Sequence, residues 1–293
     1  MCRVTDLQQA VLAKNDHRAR DLRQELAARG TVLVNLLSSP GSGKTALLEA
    51  ELTLATRRGV PVAALTADLA TENDAVRLAR SGAPVKQVLT DGLCHLEADL
   101  LRGQLDGWLP ADTRLLFVEN VGNLVCPAGY DLGETLRVAL ASVTEGEDKP
   151  LKYPSAFGLA HLVLVTKADL AAAVEFDEAA FLANVQQVNP GVEVLFTSAR
   201  RGQGVGLLLD RALAAGEGGP GHEPVMARRA GGHGHGHAHG TAQAPDHADG
   251  HPGEHAHGHP HEHPHEHPHE HPHDRVHEHP HAHPHVGEPV PPR

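Results

Sequence analysis

The chain contains the stretch Ser38-Ser39-Pro40-Gly41-Ser42-Gly43-Lys44-Thr45. It matches the phosphate-loop pattern, except that Ser38 stands where the pattern has glycine. Gly41 and Gly43 allow successive backbone N–H groups to surround phosphate oxygens at the start of a helix. We expect Lys44 to contact the β- and γ-phosphates and the Thr45 hydroxyl to bind Mg²⁺. The alternative is a Gly-Ser turn that Lys and Thr follow by chance.

Around this loop, short apolar runs alternate with helical segments. The runs that predict strands are 31–37, 60–66, 115–118, 161–166 and 192–197, and the predicted helices are 5–29, 45–58, 75–80, 96–105, 178–188 and 204–214. Such alternation with uniformly apolar strands is typical of a parallel sheet covered by helices on both faces. We therefore predict a three-layer α/β fold of the P-loop NTPase type, with a mostly parallel sheet and an N-terminal helix.

Composition excludes several classes of protein. The 293 residues carry 37 Asp and Glu against 25 Lys and Arg, a net charge of −12. This acidic balance argues against nucleic acid or an anionic membrane as the main partner. No apolar run approaches the ~20 residues that a membrane-spanning helix needs, and the N-terminus lacks the apolar region of a signal peptide. The 3 cysteines do not form a disulfide framework, so a cytoplasmic location is expected.

Histidines define a separate C-terminal segment. Of the 25 histidines, 21 lie between His233 and His285, in a stretch without aromatic residues whose text becomes a His-Pro-His-Glu repeat. A chain with so little apolar surface is expected to be disordered. The Gly/Pro-rich residues 216–221 mark the boundary. We predict an N-terminal helical segment (1–29), a P-loop nucleotide-binding domain (30–215) and a His/Pro-rich tail (216–293).

Two further segments indicate guanine as the base. Thr166-Lys167-Ala168-Asp169 resembles the Asn-Lys-x-Asp element of GTPases, with Thr166 in place of Asn. The Asp169 carboxylate would accept hydrogen bonds from N1–H and the N2 amino group, a pair of donors that adenine lacks. The stem of Lys167 would lie along the base. Ser198-Ala199 resembles the second guanine element, in which the Ala199 N–H reaches O6. The alternative is a surface Lys/Asp pair in a loop.

Two acidic loops follow other predicted strands. Glu119 begins the stretch 119–122, where P-loop enzymes place the acidic residue that holds Mg²⁺ and where Gly122 would sense the γ-phosphate. Residues 68–74, which include Asp68 and Asp74, form a polar loop that is a candidate phosphate-sensing switch. The same stretch also suits the start of a helix, with Asn73 as its N-cap, and both interpretations hold together.

Three residues form a candidate metal site. Cys94-His95 is predicted to open a helix, and Cys126-Pro127 follows the Glu119 loop. Two thiolates and an imidazole suit Ni²⁺ or Zn²⁺. Because adjacent Cys and His do not easily complete a tetrahedral site, a site shared by two subunits or closed by water is expected. The alternative is that each cysteine is a small buried apolar residue.

Over residues 4–215 the chain resembles the hydrogenase-maturation nickel GTPase family, HypB. The resemblance rests on residues 34–45, 92–98 and 118–127, and on 12–16, which read Leu-Ala-Lys-Asn-Asp. It implies a homodimer that binds and slowly hydrolyses GTP. It also implies metal binding by Cys94, His95 and Cys126 at the dimer interface, delivery to the large subunit of [NiFe]-hydrogenase, and the zinc-containing chaperone HypA as partner. Some relatives carry a cysteine-rich N-terminal nickel motif, of which only Cys2 is present here. Histidine-rich relatives usually have their histidines before the domain, whereas here the histidines follow it.

The tail chemistry follows from neutral imidazole, which coordinates metal ions near neutral pH. The repeat histidines are predicted to form a multi-site store for Ni²⁺, with Zn²⁺ as a competitor; they include His261, His263, His265, His267, His269 and His271. The alternative is a merely solubilising tail. For the whole chain, two other functions stay open: a related metallochaperone GTPase for urease nickel or a zinc or cobalt enzyme, and a metal store whose GTPase domain is a dimerisation scaffold.

Overall fold

The computed structural model describes residues 2–68, 73–90, 92–219 and 221–230. The strands are β1 (Val32–Ser38), β2 (Val62–Asp68), β3 (Val85–Leu89), β4 (Leu115–Glu119), β5 (Leu136–Ser142), β6 (Leu162–Thr166) and β7 (Glu193–Phe196). The helices are α1 (Cys2–Ala28), α2 (Lys44–Arg57), α3 (Asn73–Ala79), α4 (Ala98–Leu105), α5 (Lys149–Lys152), α6 (Pro154–Gly158), α7 (Glu178–Val188), α8 (Leu207–Gly216) and α9 (Val225–Ala230). Short 3₁₀ turns occupy Pro127–Gly129, Val143–Glu145 and Ala168–Val174.

The strands form one sheet in the order β3-β2-β4-β1-β5-β6-β7, and neighbouring strands are parallel throughout. Every residue of the central strand β1 is buried. Its side chains alternate between the faces of the sheet: Val34 and Leu36 pack with α2 and α8, whereas Leu33 packs with α1 and α4. Helices α6 and α7 cover the β5–β6 part of that second face. The predicted three-layer α/β fold is confirmed.

Two strands are absent from those named in the sequence analysis. Strand β5 carries Arg137 within an apolar run, and this charged residue hides the strand signal although the side chain is buried. Strand β3 lies at the sheet edge and is only partly buried, so polar residues interrupt its pattern; Lys86, for example, donates to the Gln104 carbonyl at 2.7 Å. Both differences arise because the polar side chains in these strands have hydrogen-bonding partners in the folded chain that the sequence pattern does not show.

Part of the segment assigned to the tail lies against the domain. The His222 ring is hydrogen-bonded to the Asn189 side chain (Nε2–Oδ1 2.7 Å), and in α9 the side chain of Met226 packs closely against Gly158. Residues 231–293, which contain the tail histidines from His261 to His271, lie outside the described residues. Within the described ranges no helix combines the length and apolar character that a membrane crossing requires.

Candidate functional site

The phosphate loop connects β1 to α2 at the carboxyl edge of the sheet. Gly41 and Gly43 adopt φ values of 72° and 91°, a left-handed conformation that a side chain would strain. Ser38 is buried, and its hydroxyl donates to the Ser39 carbonyl at 2.9 Å, so serine satisfies its own polar group at the first position. The loop lines a cavity together with the start of α2 and residues after β4. This arrangement suits a polyphosphate bound at a helix N-terminus.

A buried carboxylate faces the loop from the end of β4. Glu119 is 1% exposed; its Oε1 accepts a hydrogen bond from Thr45 Oγ1 at 2.6 Å and lies 3.3 Å from Lys44 Nζ. Its Oε2 has no hydrogen-bond partner among the described residues. A carboxylate beside a hydroxyl provides the oxygen ligands that Mg²⁺ prefers. Thr45 and Glu119, predicted from separate motifs, are therefore brought together in a geometry that fits this ion.

The loop after Glu119 approaches the phosphate loop closely. A Cβ added at Gly122 would lie 3.3 Å from Pro40 Cα, so a larger residue would press on the phosphate loop. Asp74 and Arg77 of α3 line the same cavity, and Arg77 Nε donates to Glu49 at 2.6 Å. Asp68 is the last residue of β2, while residues 69–72 of the candidate switch lie outside the described part of the chain.

The candidate guanine element, residues 166–169, contacts the phosphate loop directly. Lys167 has a left-handed backbone (φ 56°), and its Nζ donates to the Gly41 carbonyl at 2.8 Å. The Thr166 hydroxyl donates to the Ser42 carbonyl. Thr166, at the position where asparagine is usual, thus connects its own segment to the phosphate loop by a hydrogen bond from a hydroxyl rather than from an amide.

The second guanine element lies beside the first. Ser198 Oγ donates to Asp169 Oδ1 at 2.5 Å, and this hydrogen bond holds the pKa of Asp169 below its ordinary value. Asp169 and Ser198, with Lys167 and Ala199, line a pocket of about 320 Å³ next to Gly43. An ionised carboxylate accepts hydrogen bonds at both oxygens, which suits the adjacent N1–H and N2 amino donors of guanine.

The candidate metal ligands are brought together, but not on a helix. Cys94 and His95 lie in the loop before α4, which begins at Ala98, so the prediction that they open a helix is wrong. Glu97 has an extended backbone (φ −110°, ψ 153°), which delays the start of the helix although Leu96 continues the apolar pattern.

The Cys94 side chain interacts with each of the other two candidate ligands. A hydrogen bond with Cys126, assisted by burial, raises the pKa of the Cys94 thiol above its ordinary value. Cys94 Sγ lies 3.7 Å from His95 Nδ1, and His95 Nε2 is buried without a hydrogen-bond partner in the described chain. The His95 ring stacks on Tyr130 at 3.9 Å between centroids. No group of three or more His, Cys, Asp or Glu side chains among the described residues is arranged to enclose a metal ion within one chain.

A buried polar network that the sequence analysis missed joins the two sites. Asn120, next to Glu119, donates through Nδ2 to Asn35 Oδ1 at 3.3 Å, and Asn35 donates to Glu134 Oε1 at 3.4 Å. Glu134 is paired with Arg137 at 2.5 Å. Burial alone would raise the pKa of Glu134, but the charge and hydrogen bonds of Arg137 and nearby backbone N–H groups lower it to about 2. An arginine inside an apolar run was the available signal, since a buried charge requires a partner.

The fold and the loops define a P-loop nucleotide-binding protein. The sequence profile described as "CobW/HypB/UreG, nucleotide-binding domain" matches residues 32–196, and the chain belongs to this family. Its relatives include the hydrogenase maturation factor HypB of Azotobacter vinelandii, 46% identical over 204 residues that cover 70% of this chain and 67% of that protein. The predicted resemblance to HypB is confirmed.

Two solved structures of HypB are similar over the same region. The hydrogenase maturation factor HypB from Archaeoglobus fulgidus is 35% identical, with a TM-score of 0.65 over 70% of this chain and 100% of that chain. HypB from Helicobacter pylori, determined in complex with nickel, is 33% identical, with a TM-score of 0.65 over 72% of this chain and 98% of that chain. Both similarities support homology as well as a common fold.

Proposed function

We propose that this protein is a GTP-hydrolysing nickel metallochaperone. In this proposal two copies form a homodimer, GTP and Mg²⁺ occupy the phosphate and guanine elements, and Cys94, His95 and Cys126 bind nickel at the dimer interface. The nickel is delivered to the large-subunit precursor of [NiFe]-hydrogenase, with a HypA-like nickel chaperone as a partner. Membership of a family that contains hydrogenase maturation factors supports the choice of acceptor.

The nucleotide part of the proposal rests on charge and donor placement. Lys44 and the loop N–H groups would bind the phosphates, Thr45 and Glu119 would hold Mg²⁺, and Asp169 would select guanine. The described residues that line the phosphate cavity include neither glutamine nor histidine, side chains that could orient or deprotonate the attacking water. We therefore expect the intrinsic rate of GTP hydrolysis to be slow.

One observation carries the metal part. The loop that begins at Glu119, against Thr45 and Lys44, leads within seven residues to Cys126, whose thiol raises the pKa of the Cys94 thiol by hydrogen bonding. A shift of Glu119 or Gly122 on binding of Mg²⁺ and the γ-phosphate would move a nickel ligand. Thiolate and imidazole are suitable ligands for Ni²⁺, and Zn²⁺ would compete for them. The relative crystallised with nickel supports Ni²⁺ as the cargo.

The test is a nickel titration of the full chain with GDP and then with a non-hydrolysable GTP analogue. Absorption from sulfur-to-nickel charge transfer reports only ions bound to thiolate, and light scattering reports the oligomeric state. We expect the charge-transfer titration and dimer formation to depend on which nucleotide is bound, and Cys94→Ser and Cys126→Ser to abolish the band. A band that persists in both variants, or a titration identical in the two nucleotides, would contradict the proposal.

The tail is proposed to store nickel. Replacing His261, His263, His265, His267, His269 and His271 by glutamine should lower the number of nickel ions bound per chain and leave the charge-transfer band unchanged. Imidazole supplies no thiolate, so the two readouts separate storage from the cysteine site. An unchanged nickel stoichiometry would favour a solubilising role for these histidines.

A further inference from the structure

Asn15 of α1 bridges the two loops that carry the candidate nickel ligands. Its Oδ1 accepts a hydrogen bond from the backbone N–H of Ala98 at 3.0 Å, at the end of the Cys94 and His95 loop. Its Nδ2 donates to the carbonyl of Asp131 at 2.7 Å, in the segment that follows Cys126. The Asn15 residue is only 5% exposed, so neither bond is exchanged easily with water.

Two other contacts fix α1 against the second of these loops, the segment that follows Cys126. Arg23 Nη2 lies 2.8 Å from both carboxylate oxygens of Asp131. A Cβ added at Gly133 would lie 2.5 Å from the Ala19 carbonyl oxygen, so only glycine permits this approach of the loop to the helix. Helix α1 is thus held in a fixed position against the Asp131 segment. Through its hydrogen bond with the Ala98 N–H, Asn15 fixes the end of the Cys94 loop relative to the same helix.

The opposite side of the second loop is held by the buried arginine. Arg137 donates through Nη1 to the Ala128 carbonyl and through Nη2 to the Tyr130 carbonyl, each at 2.9 Å. Tyr130 in turn stacks on His95. Contacts from both sides therefore leave little freedom in the segment between Cys126 and Asp131, and the Asn15 bridge, together with the Tyr130–His95 stacking, fixes its spacing from the Cys94 loop.

We propose that Asn15 is a positioning residue for nickel binding, which holds Cys94 and His95 at the distance from Cys126 that a shared metal ion requires. The inference rests on the proposed nickel site. Asparagine is suited to the role because one short amide presents an acceptor to Ala98 and a donor to Asp131 at the same time. Aspartate would keep the acceptor but would place a negative charge against the Asp131 carbonyl.

The test follows the thiolate-to-nickel charge-transfer band of the full chain at free Ni²⁺ concentrations set by a competing chelator, so that the tail histidines do not alter the free concentration. We expect Asn15→Ala to bind nickel at the cysteines about tenfold more weakly, the lower end of the loss seen when supports of metal ligands are removed. Asn15→Asp should show a weakened or shifted band as well, since it disturbs the Asp131 contact alone. Affinity for GTP should stay unchanged in both variants.

Asn189→Ala is the matched control. Asn189 is also buried and also bridges segments, donating to the Phe157 and Ala160 carbonyls at 2.9 and 2.8 Å, and neither of these hydrogen bonds involves a cysteine loop. Its loss should lower thermal stability without changing the nickel band.

The possible results separate two failures. If Asn15→Ala and Asn15→Asp titrate with nickel as the unmodified chain does, the positioning role is wrong. If Asn189→Ala weakens the band equally, the effect is one of general stability and the positioning role is also wrong. If instead the unmodified chain gives no band, the proposed nickel site itself is wrong, and with it the basis of the inference. Should Asn15→Ala fail to fold, Asn15→Asp decides alone.

Discussion

Lys167 Nζ donates a hydrogen bond to the main-chain carbonyl of Gly41 across 2.8 Å, so a residue of the candidate guanine element holds the phosphate loop. The stem of the same side chain passes over Gly43, where an added Cβ would lie 3.7 Å from Lys167 Cε. The conformation of the phosphate loop is therefore coupled to the segment that we propose recognises the base.

Lys167→Met keeps the apolar stem and removes this hydrogen bond. We expect the affinity for GTP to fall by about tenfold, because a hydrogen bond from a charged donor contributes roughly 1.5 kcal/mol or more. Fluorescent nucleotide titration measures the change. Lys152→Met, which removes an exposed lysine paired with Asp148, is the control. Equal affinities in the two variants would show that the Gly41 contact does not support binding.

Asp169→Asn should change the preferred base. The asparagine amide still accepts from N1–H, but its NH₂ group opposes the guanine amino group and matches the C2 carbonyl of xanthine instead. We expect GTP affinity to fall by about a hundredfold and XTP affinity to rise. Competition between the two nucleotides measures the ratio. Asp177→Asn, at the N-cap of α7, should leave the ratio unchanged; an unchanged ratio in Asp169→Asn would remove the case for guanine.

Glu119→Gln should remove the magnesium dependence of nucleotide binding. The substitution keeps the size of the side chain and loses the charge that faces Thr45 and Lys44. We expect GTP affinity in Mg²⁺ to fall about tenfold, close to the affinity measured with a chelator present. Glu193→Gln, in an exposed pair with Arg211, is the control. If Mg²⁺ still tightens binding in Glu119→Gln as it does in the unmodified chain, another group holds the ion.

Glu134 makes stability depend on pH in the acid range. Its pKa is about 2 in the folded chain against an ordinary 4.5, so the unfolded state binds the proton more readily. The stabilisation is present above pH 4.5 and is lost as the pH falls towards 2. Chemical denaturation at several pH values should show a shallower loss in this range for Glu134→Gln, together with lower stability at neutral pH because Arg137 is left buried without its counter-charge.

Asp148→Asn is the appropriate comparison for the acid range. Hydrogen bonding to Lys152 lowers the pKa of Asp148 too, but the pair is exposed to solvent and screened by it. This variant should keep nearly the full acid dependence. A Glu134→Gln curve parallel to that of the unmodified chain would mean that the buried pair does not contribute as described.

The local elements of the fold could be predicted because their signals are short-range. The phosphate loop, the strand before it and the helix after it lie within about 25 consecutive residues, and apolar runs mark β1, β4 and β6. Strand β5 was not predictable in the same way. The buried Arg137 side chain pairs with Glu134 and donates hydrogen bonds to two loop carbonyls. Counting apolar residues along the sequence does not reveal such contacts.

The site was predicted as a set of residues rather than as a connected structure. Motif spacing brought together Thr45 and Glu119, and it grouped Cys94 with Cys126. The contact between Thr166 and the phosphate loop and the bridge made by Asn15 join residues more than 80 positions apart. Such contacts depend on how strands are ordered in the sheet, and the order was available only from the structure.

The dependence of α1 on distant partners has a consequence for synthesis of the chain. Asn15 is synthesised 116 residues before Asp131, whose carbonyl accepts its hydrogen bond. At translation rates of about 5–20 residues per second, roughly 6–23 s pass before that acceptor exists. During this interval the apolar side chains of Ala19, Leu22 and Leu26 lack part of their final packing. The first helix therefore completes its packing only after the segment around Asp131 has been synthesised. A nascent chain that ends before Asp131 lacks the Asn15 bridge and with it this support for the spacing of the cysteine loops.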